Sequence, residues 1–425
     1  MTDERRQASR GPSRLWPFKG RDDIITVVDL GAQKVACAVV LLSSPRFGFD
    51  VGSRNIRVIG SSIVRSSGIT GGRIANLAAI ETSIRRAVGQ AETQAGVTVE
   101  DVLVTGQFAG LIAEVFEAKL GHAGLGREDV EAISAAADEH CARTQRKLLH
   151  LFTSSGEAGA EAALAGHAPW AAETDVIAIS MPIRVQRQLE TSFGKSLLNV
   201  RSVLAGPLAS ALSVTNALER MSGVLVIDMG AQATGVALFH HGVPMFLESL
   251  NFGGQTVSEE IAQAFSLRKF EAERLKVRYG SVYDNLQADI DLPVQNGDTG
   301  EPVSKFSLNR IIRSRASEHL KAVNERLKGA GYSVPNGGAV LTGGGSLLPG
   351  IRELASHLFA AEVRTARPMT LNGLNAGNVL SALVGGCLYA SRHQSAGEMP
   401  YAPELPSQDS SYASRIGQWL RTSFL

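Results

Sequence analysis

The chain is 425 residues long with 44% hydrophobic and 20% charged residues, the balance of a soluble globular protein of roughly two to four lobes, not of a disordered or fibrous one. Forty-two Lys and Arg against 41 Asp and Glu leave a net charge of +1, so there is no overall basic field to gather phosphate backbones, and nucleic acid is not an expected partner. Three widely spaced cysteines, Cys37, Cys141 and Cys387, supply neither a disulfide framework nor a zinc site, which points to the cytosol, and no apolar run reaches the 18 or so residues of a spanning helix.

Residues 1–23 are rich in Arg, Ser, Pro and Gly and read as a disordered basic arm. Two buried strands then flank the turn Asp29-Leu30-Gly31-Ala32-Gln33-Lys34, which predicts a hairpin. Apolar residues at helical spacing, Leu77, Ile80, Ile84, Ala87, Val88 and Ala91, predict a helix over 76–96 ending at Gly96, and Val102 to Val104 reads as a strand. Ala- and Glu-rich residues 109–168 read as mostly helical, and 87–168 is expected to be an inserted subdomain. His140, Cys141 and His150 lack the spacing of metal ligands and read as surface helix residues. Gly194-Lys195-Ser196 is not a P-loop, because Leu189 stands where the motif requires glycine.

A strand at Val176 to Ile179 and a helix from Pro207 to about Arg220 precede a second hairpin, in which Val224 to Ile227 leads into Asp228-Met229-Gly230-Ala231-Gln232. This repeats Val27 to Gln33 with a shift of 199 positions, from 29 to 228, and implies two related halves. Charged helices follow to about residue 330, then the strand Val340 to Thr342 ends in a Gly343-Gly344-Gly345 corner before a helix from about Pro349. Residues 391–411, with Pro400, Pro403 and Pro406, have a linker composition. In the terminal 412–425 segment, Tyr412, Ile416, Trp419, Leu420 and Phe424 fall on one side of a helix and Arg415 and Arg421 on the other, the pattern of an in-plane membrane helix.

Turns that expose backbone N–H groups without side-chain bulk hold phosphate oxygens, and Gly31 and Gly230 are placed for that at two corners that can clamp one polyphosphate. Asp29 and Asp228 would repel the same phosphates as bare anions, a conflict that a hydrated Mg²⁺ resolves. Glu273 and Lys276 share a helix face, where they can hold two ribose hydroxyls; an exposed ion pair has the same spacing.

The paired hairpins, the Ala272 to Gly280 segment and Val340 to Gly345 resemble the actin/Hsp70/hexokinase superfamily. Within it the order of parts resembles the FtsA family, the bacterial cell-division actin homologues, supported by Ala205-Gly206-Pro207-Leu208-Ala209-Ser210-Ala211, Gly253-Gly254 before a helix, the insertion and the amphipathic tail. The resemblance covers about 24–392 plus the tail. It implies an α/β actin-like ATPase fold of two related lobes around a nucleotide cleft, with an inserted α/β subdomain. The first lobe would comprise 24–86 and 169–204, interrupted by 87–168, and the second 205–245 and 331–390, with a smaller subdomain at 246–330.

The resemblance places Gly31, Ala32, Gln33 and Lys34 in the first phosphate loop and Gly230, Ala231 and Gln232 in the second. It sets Asp29 and Asp228 near Mg²⁺, Glu273 and Lys276 near the ribose, and Gly343, Gly344 and Gly345 against the adenosine of ATP. The implied function is an ATP-binding, filament-forming division protein. It would tether the C-terminal tail of FtsZ, the tubulin-like division GTPase, to the anionic cytoplasmic face of the inner membrane at the division site and recruit later division proteins. A pilus-assembly actin-like adaptor and a small-molecule kinase of the superfamily are the alternatives.

Two departures bear on turnover. Relatives usually carry Gly-Gly-Gly-Thr, a hydrophobic residue and Asp where this chain has Gly230-Ala231-Gln232-Ala233-Thr234-Gly235, and several place an acidic residue where Gly206 stands. Slow or absent hydrolysis is expected.

Overall fold

The computed structural model describes residues 23–43, 55–119, 127–153, 173–283 and 290–393. The N-terminal arm to residue 22, the linker from residue 394 and the 412–425 segment lie outside them.

In the first sheet, β1 (Asp23–Leu30) and β2 (Lys34–Ser43) form the expected hairpin, β3 (Asn55–Arg65) pairs antiparallel on the far side of β2, and β6 (Asp101–Gly106) and β10 (Asn199–Ala205) continue in parallel beyond β1. The second sheet repeats this arrangement strand for strand. The hairpin is β11 (Val224–Met229) with β12 (Thr234–His240), the antiparallel neighbour is β13 (Val243–Leu250), and the parallel pair is β16 (Ala339–Thr342) and β17 (Val363–Thr365). The sequence repeat is therefore a repeat of topology. Strands such as β2 and β11 are buried on both faces, which is why they read as unbroken apolar runs. Two short hairpins stand apart from these sheets, β4 (Ile69–Thr70) with β5 (Arg73–Ile74) and β14 (Asp291–Gln295) with β15 (Pro302–Ser304).

The chain forms two lobes around these sheets: one apolar cluster joins the first sheet to one face of β11–β13, and a second covers the opposite face of the second sheet. Between the sheets, the helix α4 (Gly206–Val214) packs on β11 and β12, and the helix α10 (Ser381–His393) packs on α4, β1 and β6. The crossover between β16 and β17 is made by α9 (Ile351–Phe359).

The helix α1 (Leu77–Ala95) is capped by the Asn76 side chain, which accepts from the Ala79 N–H, and ends at Gly96 in the left-handed region. It buries Ile80, Ile84, Ala87, Val88 and Ala91, and packs on β2 and β3. The start of the expected 87–168 insertion is therefore corrected, because the second half of α1 and β6 are built into the first lobe. Among the described residues the added unit comprises β7 (Ile112–Lys119), α2 (Arg127–Arg143), β8 (Arg146–Thr153) and β9 (Glu173–Pro182), after which α3 (Ile183–Gly194) leads back to β10. Nor are the described residues of 109–168, which are 109–119 and 127–153, mostly helical. Pairing of β7 and β8 with the apolar β9 overrides the helical propensity of Ala and Glu. A single bridge, Ile112 to Glu248, attaches β7 to β13 and extends the second sheet to eight strands.

The expected helix from Pro207 to Arg220 breaks in two. Asn216 opens the short helix α5 (Ala217–Ser222) through a reciprocal capping box with Glu219.

Cys141 and His150 are buried, not surface helix residues, and His150 lies on β8. Its Nε2 accepts the Ala205 N–H at 3.3 Å, and its ring meets Tyr389 of α10 edge-on with centroids 5.8 Å apart. Burial pushes this imidazole down to about 3 from 6.5. The folded state thus takes up fewer protons than the unfolded one, and the stability that a neutral His150 contributes is complete above pH 6.5 and lost as pH falls toward 3. The variant His150→Gln is expected to melt below the parent at pH 7.5. Parent and variant should converge at pH 5, since the parent alone loses about 1.4 kcal/mol per pH unit below 6.5. A melting difference that is the same at both values would contradict this.

Candidate functional site

The two hairpin turns are built alike. Gly31 N–H donates to the Lys34 carbonyl at 2.9 Å, and Gly230 N–H donates to the Ala233 carbonyl at 3.1 Å, so each loop closes over three residues. In each sheet the strand parallel to the hairpin ends beside the aspartate, with Asp29 opposite Thr105 and Asp228 opposite Thr342. The glycines that follow, Gly106 and Gly343, each lie against the backbone of the residue after that aspartate. Gly343 has φ +80°, and a Cβ there would meet Asp228 Oδ1 and the Met229 carbonyl, so the corner admits only glycine. This fixes the 343–345 corner against the second loop. Gly344 and Gly345 open the 3₁₀ turn Gly344–Leu347, whose Ser346 hydroxyl donates to the Gly343 carbonyl at 2.7 Å.

Both aspartates are buried and face one cleft. Desolvation raises Asp29 to about 6, opposed by the nearby Lys34 charge and augmented by Asp228. Asp228 is also raised by desolvation, in opposition to hydrogen bonds from Ser210 and Gln107 and the charge of Lys34. Lys34 Nζ is 3.8 Å from Asp29 Oδ2 and acts electrostatically on both carboxylates, so it lies where the two lobes meet. Two desolvated carboxylates within electrostatic reach of each other are a donor set suited to a hydrated divalent cation, whose charge removes the cost of ionising both. The residues present fit Mg²⁺.

Glu273 and Lys276 lie on the helix α7 (Lys269–Tyr279) and are not the exposed pair that their spacing also allows. The Lys276 side chain is 13% exposed; its Nζ lies 2.7 Å from Glu273 Oε2 and donates to the Gly254 carbonyl at 2.6 Å and to Ser258 Oγ at 2.8 Å. Gly254 opens the helix α6 (Gly254–Ala264), and its N–H donates to the Gly230 carbonyl at 3.0 Å, so the pair stands one residue from the second loop. Gln255 N–H donates to the Ala231 carbonyl at 2.7 Å.

Gln232 is placed differently from a bare phosphate-loop residue. Its side chain crosses the cleft, where Oε1 accepts the Gly71 N–H at 2.8 Å and Nε2 donates to Gln255 Oε1 at 2.5 Å. Ala32 and Gln33 line the first turn, and the Gln33 carbonyl accepts the Ser66 N–H at 3.0 Å. Gly206 begins α4 and carries no side chain toward the cleft, as the sequence implied.

Two residues at the centre of the site were not anticipated. Ser210 Oγ donates to Asp228 Oδ2 at 2.6 Å, and Gln107 Nε2 donates to the same oxygen at 2.9 Å. Ser210 sits inside the Ala205 to Ala211 segment that carried the resemblance, yet only the fold turns its hydroxyl toward Asp228. The signal for Gln107 was its position after Gly106, at the carboxyl end of a parallel strand, where open α/β sheets bind ligands.

The profile of the family described as "Cell division protein FtsA" matches residues 225–385. A protein of that name from Rhizobium meliloti (strain 1021) is 31% identical over 449 residues, covering 98% of this chain and 99% of its own. Its counterpart from Escherichia coli (strain K12) is 23% identical over 421 residues, covering 94% and 98%. Among solved structures, a chain of the PilM-PilN type IV pilus biogenesis complex superposes with a TM-score of 0.63 at 15% identity over 86% of this chain and 97% of that one. MreB 5 of Spiroplasma citri bound to AMPPNP gives 0.50 at 12% identity over 86% and 95%.

Proposed function

The chain belongs to the FtsA family and is an actin-like protein of cell division, and from that premise we propose that it binds ATP with Mg²⁺, assembles into filaments and tethers FtsZ to the membrane at the division site. The observation that supports the nucleotide reading is the pair of like-built hairpins that bring Asp29 and Asp228 within electrostatic reach of each other and of Lys34. The bound AMPPNP of the MreB relative in fold supports it.

In this reading Gly31 to Lys34 and Gly230 to Gln232 line the phosphates, Glu273 and Lys276 approach the ribose, and Gly343 to Gly345 back the adenosine. Asp29 and Asp228 would hold Mg²⁺, which when bound neutralises phosphate charge. Lys34 would orient the phosphates. No acidic side chain stands at Gly206 or Gly235 to order an attacking water, so turnover is slow or absent.

The FtsZ tail docks, in this proposal, on the smaller subdomain at 246–330. Several of the basic residues of this subdomain are already engaged. Arg268 pairs with Glu271, Lys269 with Glu259, and Arg315 with Glu260 and Glu318, while Arg313 donates to the Val282 carbonyl. Exposed Arg274 lies between Phe270 and Val277 on one stripe of α7, with Val277 74% exposed, and exposed Arg310 lies over Phe306 on the helix α8 (Lys305–Gly329). These mixed basic and apolar stripes suit a tail of acidic and apolar residues.

Later division proteins meet the unit built from β7, α2, β8 and β9, and the 412–425 segment holds the chain peripherally on the inner membrane. No helix among the described residues is long and apolar enough to cross a membrane.

Cosedimentation with anionic liposomes and FtsZ tests the proposal as a whole, since FtsZ should pellet only when this protein is present. Arg274→Glu with Arg310→Glu should weaken the FtsZ interaction by about tenfold at low salt and less at high salt, because exposed charges are screened. If FtsZ pellets equally with parent and variant at low salt, this surface is not the dock. The pilus-adaptor alternative rests on fold alone, at 15% identity.

A further inference from the structure

Two of the departures of the second phosphate loop, at positions 232 and 235, involve glutamine side chains that join the lobes. Where relatives carry aspartate, this chain has Gly235, and the space a side chain would take there is occupied from the other lobe: a Cβ on Gly235 would overlap the Gln107 carboxamide. Gln107 follows β6 of the first sheet, and its Nε2 donates across the cleft to Asp228 Oδ2 at 2.9 Å. Its Oε1 is buried without a hydrogen-bond partner among the described residues.

Where relatives carry the third loop glycine, Gln232 reaches the opposite way and accepts the Gly71 N–H at 2.8 Å. Gly71 and Gly72, with φ of +54° and +70°, form the two-residue turn between β4 and β5. The turn is itself held to the Gln107 loop, since the Ala109 N–H donates to the Gly72 carbonyl at 2.9 Å. One continuous set of hydrogen bonds between protein groups therefore runs from the first lobe to the second.

We propose that Gln107 and Gln232 are paired cross-cleft latches that hold the two lobes closed in the nucleotide-free protein, so that closure, and with it any surface that depends on closure, is set by the chain itself and not by ATP. Two carboxamides supply a polar bridge between the lobes, anchored to Asp228 on one side and to a backbone N–H on the other. The latch deepens the nucleotide-cleft reading, but its primary test uses nucleotide-free protein, so the two can fail separately.

The three native cysteines are buried, so spin labels can be directed to Ala75→Cys and Gln263→Cys, both exposed and one on each lobe. The nucleotide-free parent should give one narrow distance distribution, unchanged by Mg²⁺ with ATP. Gln107→Ala combined with Gln232→Ala should give a broader, longer distribution without nucleotide. Amide hydrogen exchange supplies a second readout: peptides containing Gly71 should exchange about tenfold faster in the double variant. Gln232→Asn, one methylene too short to reach Gly71, should accelerate the same peptide while leaving the rest of the exchange pattern intact, which separates latch loss from misfolding. A broad distribution in the nucleotide-free parent that narrows only with ATP would overturn the proposal. So would exchange at Gly71 that is equal in parent and Gln232→Asn. If neither protein binds ATP, the nucleotide reading fails while the nucleotide-free comparison still decides the latch.

Discussion

Asp228→Ala is expected to weaken binding of Mg²⁺ with ATP by about 10- to 100-fold, the effect of losing one charged contact of roughly 1.5–3 kcal/mol. The carboxylate is buried and oriented through a single oxygen, Oδ2, by Ser210 at 2.6 Å and Gln107 at 2.9 Å. Its other oxygen, Oδ1, faces the Gly343 corner. Removing it would delete the proposed metal ligand and leave the Ser210 and Gln107 donors without their acceptor. Without a metal, the same carboxylate repels phosphate. The sharper expectation is therefore that the parent loses most of its affinity when Mg²⁺ is chelated, whereas the variant shows nearly the same weak affinity with and without the ion. Asp228→Asn keeps the shape and an acceptor for Ser210 while removing the charge, and should behave like Asp228→Ala in its indifference to Mg²⁺. Titration of ATP in the presence and absence of chelator measures both. Equal affinity of parent and Asp228→Ala in Mg²⁺ would remove Asp228 from the site.

Trp419→Glu with Leu420→Glu is expected to release the protein from anionic liposomes while leaving ATP binding unchanged. At about 100° per residue, Tyr412, Ile416, Trp419, Leu420 and Phe424 fall within an arc of about 140°, while Arg415, Gln418, Arg421 and Thr422 lie opposite. Burying a large apolar side chain contributes at most about 1.5–3 kcal/mol, and ordering each backbone residue costs about 1–2 kcal/mol, so in the proposed role a single tail would bind weakly and reversibly. Arg415 and Arg421 add about 1 kcal/mol each on an anionic surface. Firm attachment then requires many tails on one filament. The linker composition before the segment would allow a reach of about 25 Å. Flotation with liposomes distinguishes the outcomes: a double variant that floats as well as the parent would mean that another part of the chain anchors it.

Local pattern and repetition carry the part of the fold that is legible in the sequence by itself. Residues 27–33 and 226–232 repeat one another because each half needs the same short connection between two buried strands, ending in a turn without side-chain bulk. Helix α1 is legible to its ends, since Asn76 and Gly96 cap it through side-chain and backbone preferences that act locally. The two aspartates are legible for the same reason, each being fixed in place by its own hairpin.

Tertiary structure decided whatever depends on a partner distant in sequence. Residues 112–119 and 146–153 are strands because β9 offers them an apolar edge, and composition alone favoured a helix there. His150 became a buried acceptor for the Ala205 N–H only when the added unit closed on the first lobe. Arg313 and Arg315 were engaged by the Val282 carbonyl and Glu260 once their helix packed. The glutamines of the cleft make the distinction plainest: Gln107 meets Asp228 across 121 positions and Gln232 meets Gly71 across 161. A carboxamide has no periodicity or turn preference that announces a partner so far away, and both ends come together only where the two lobes face one another.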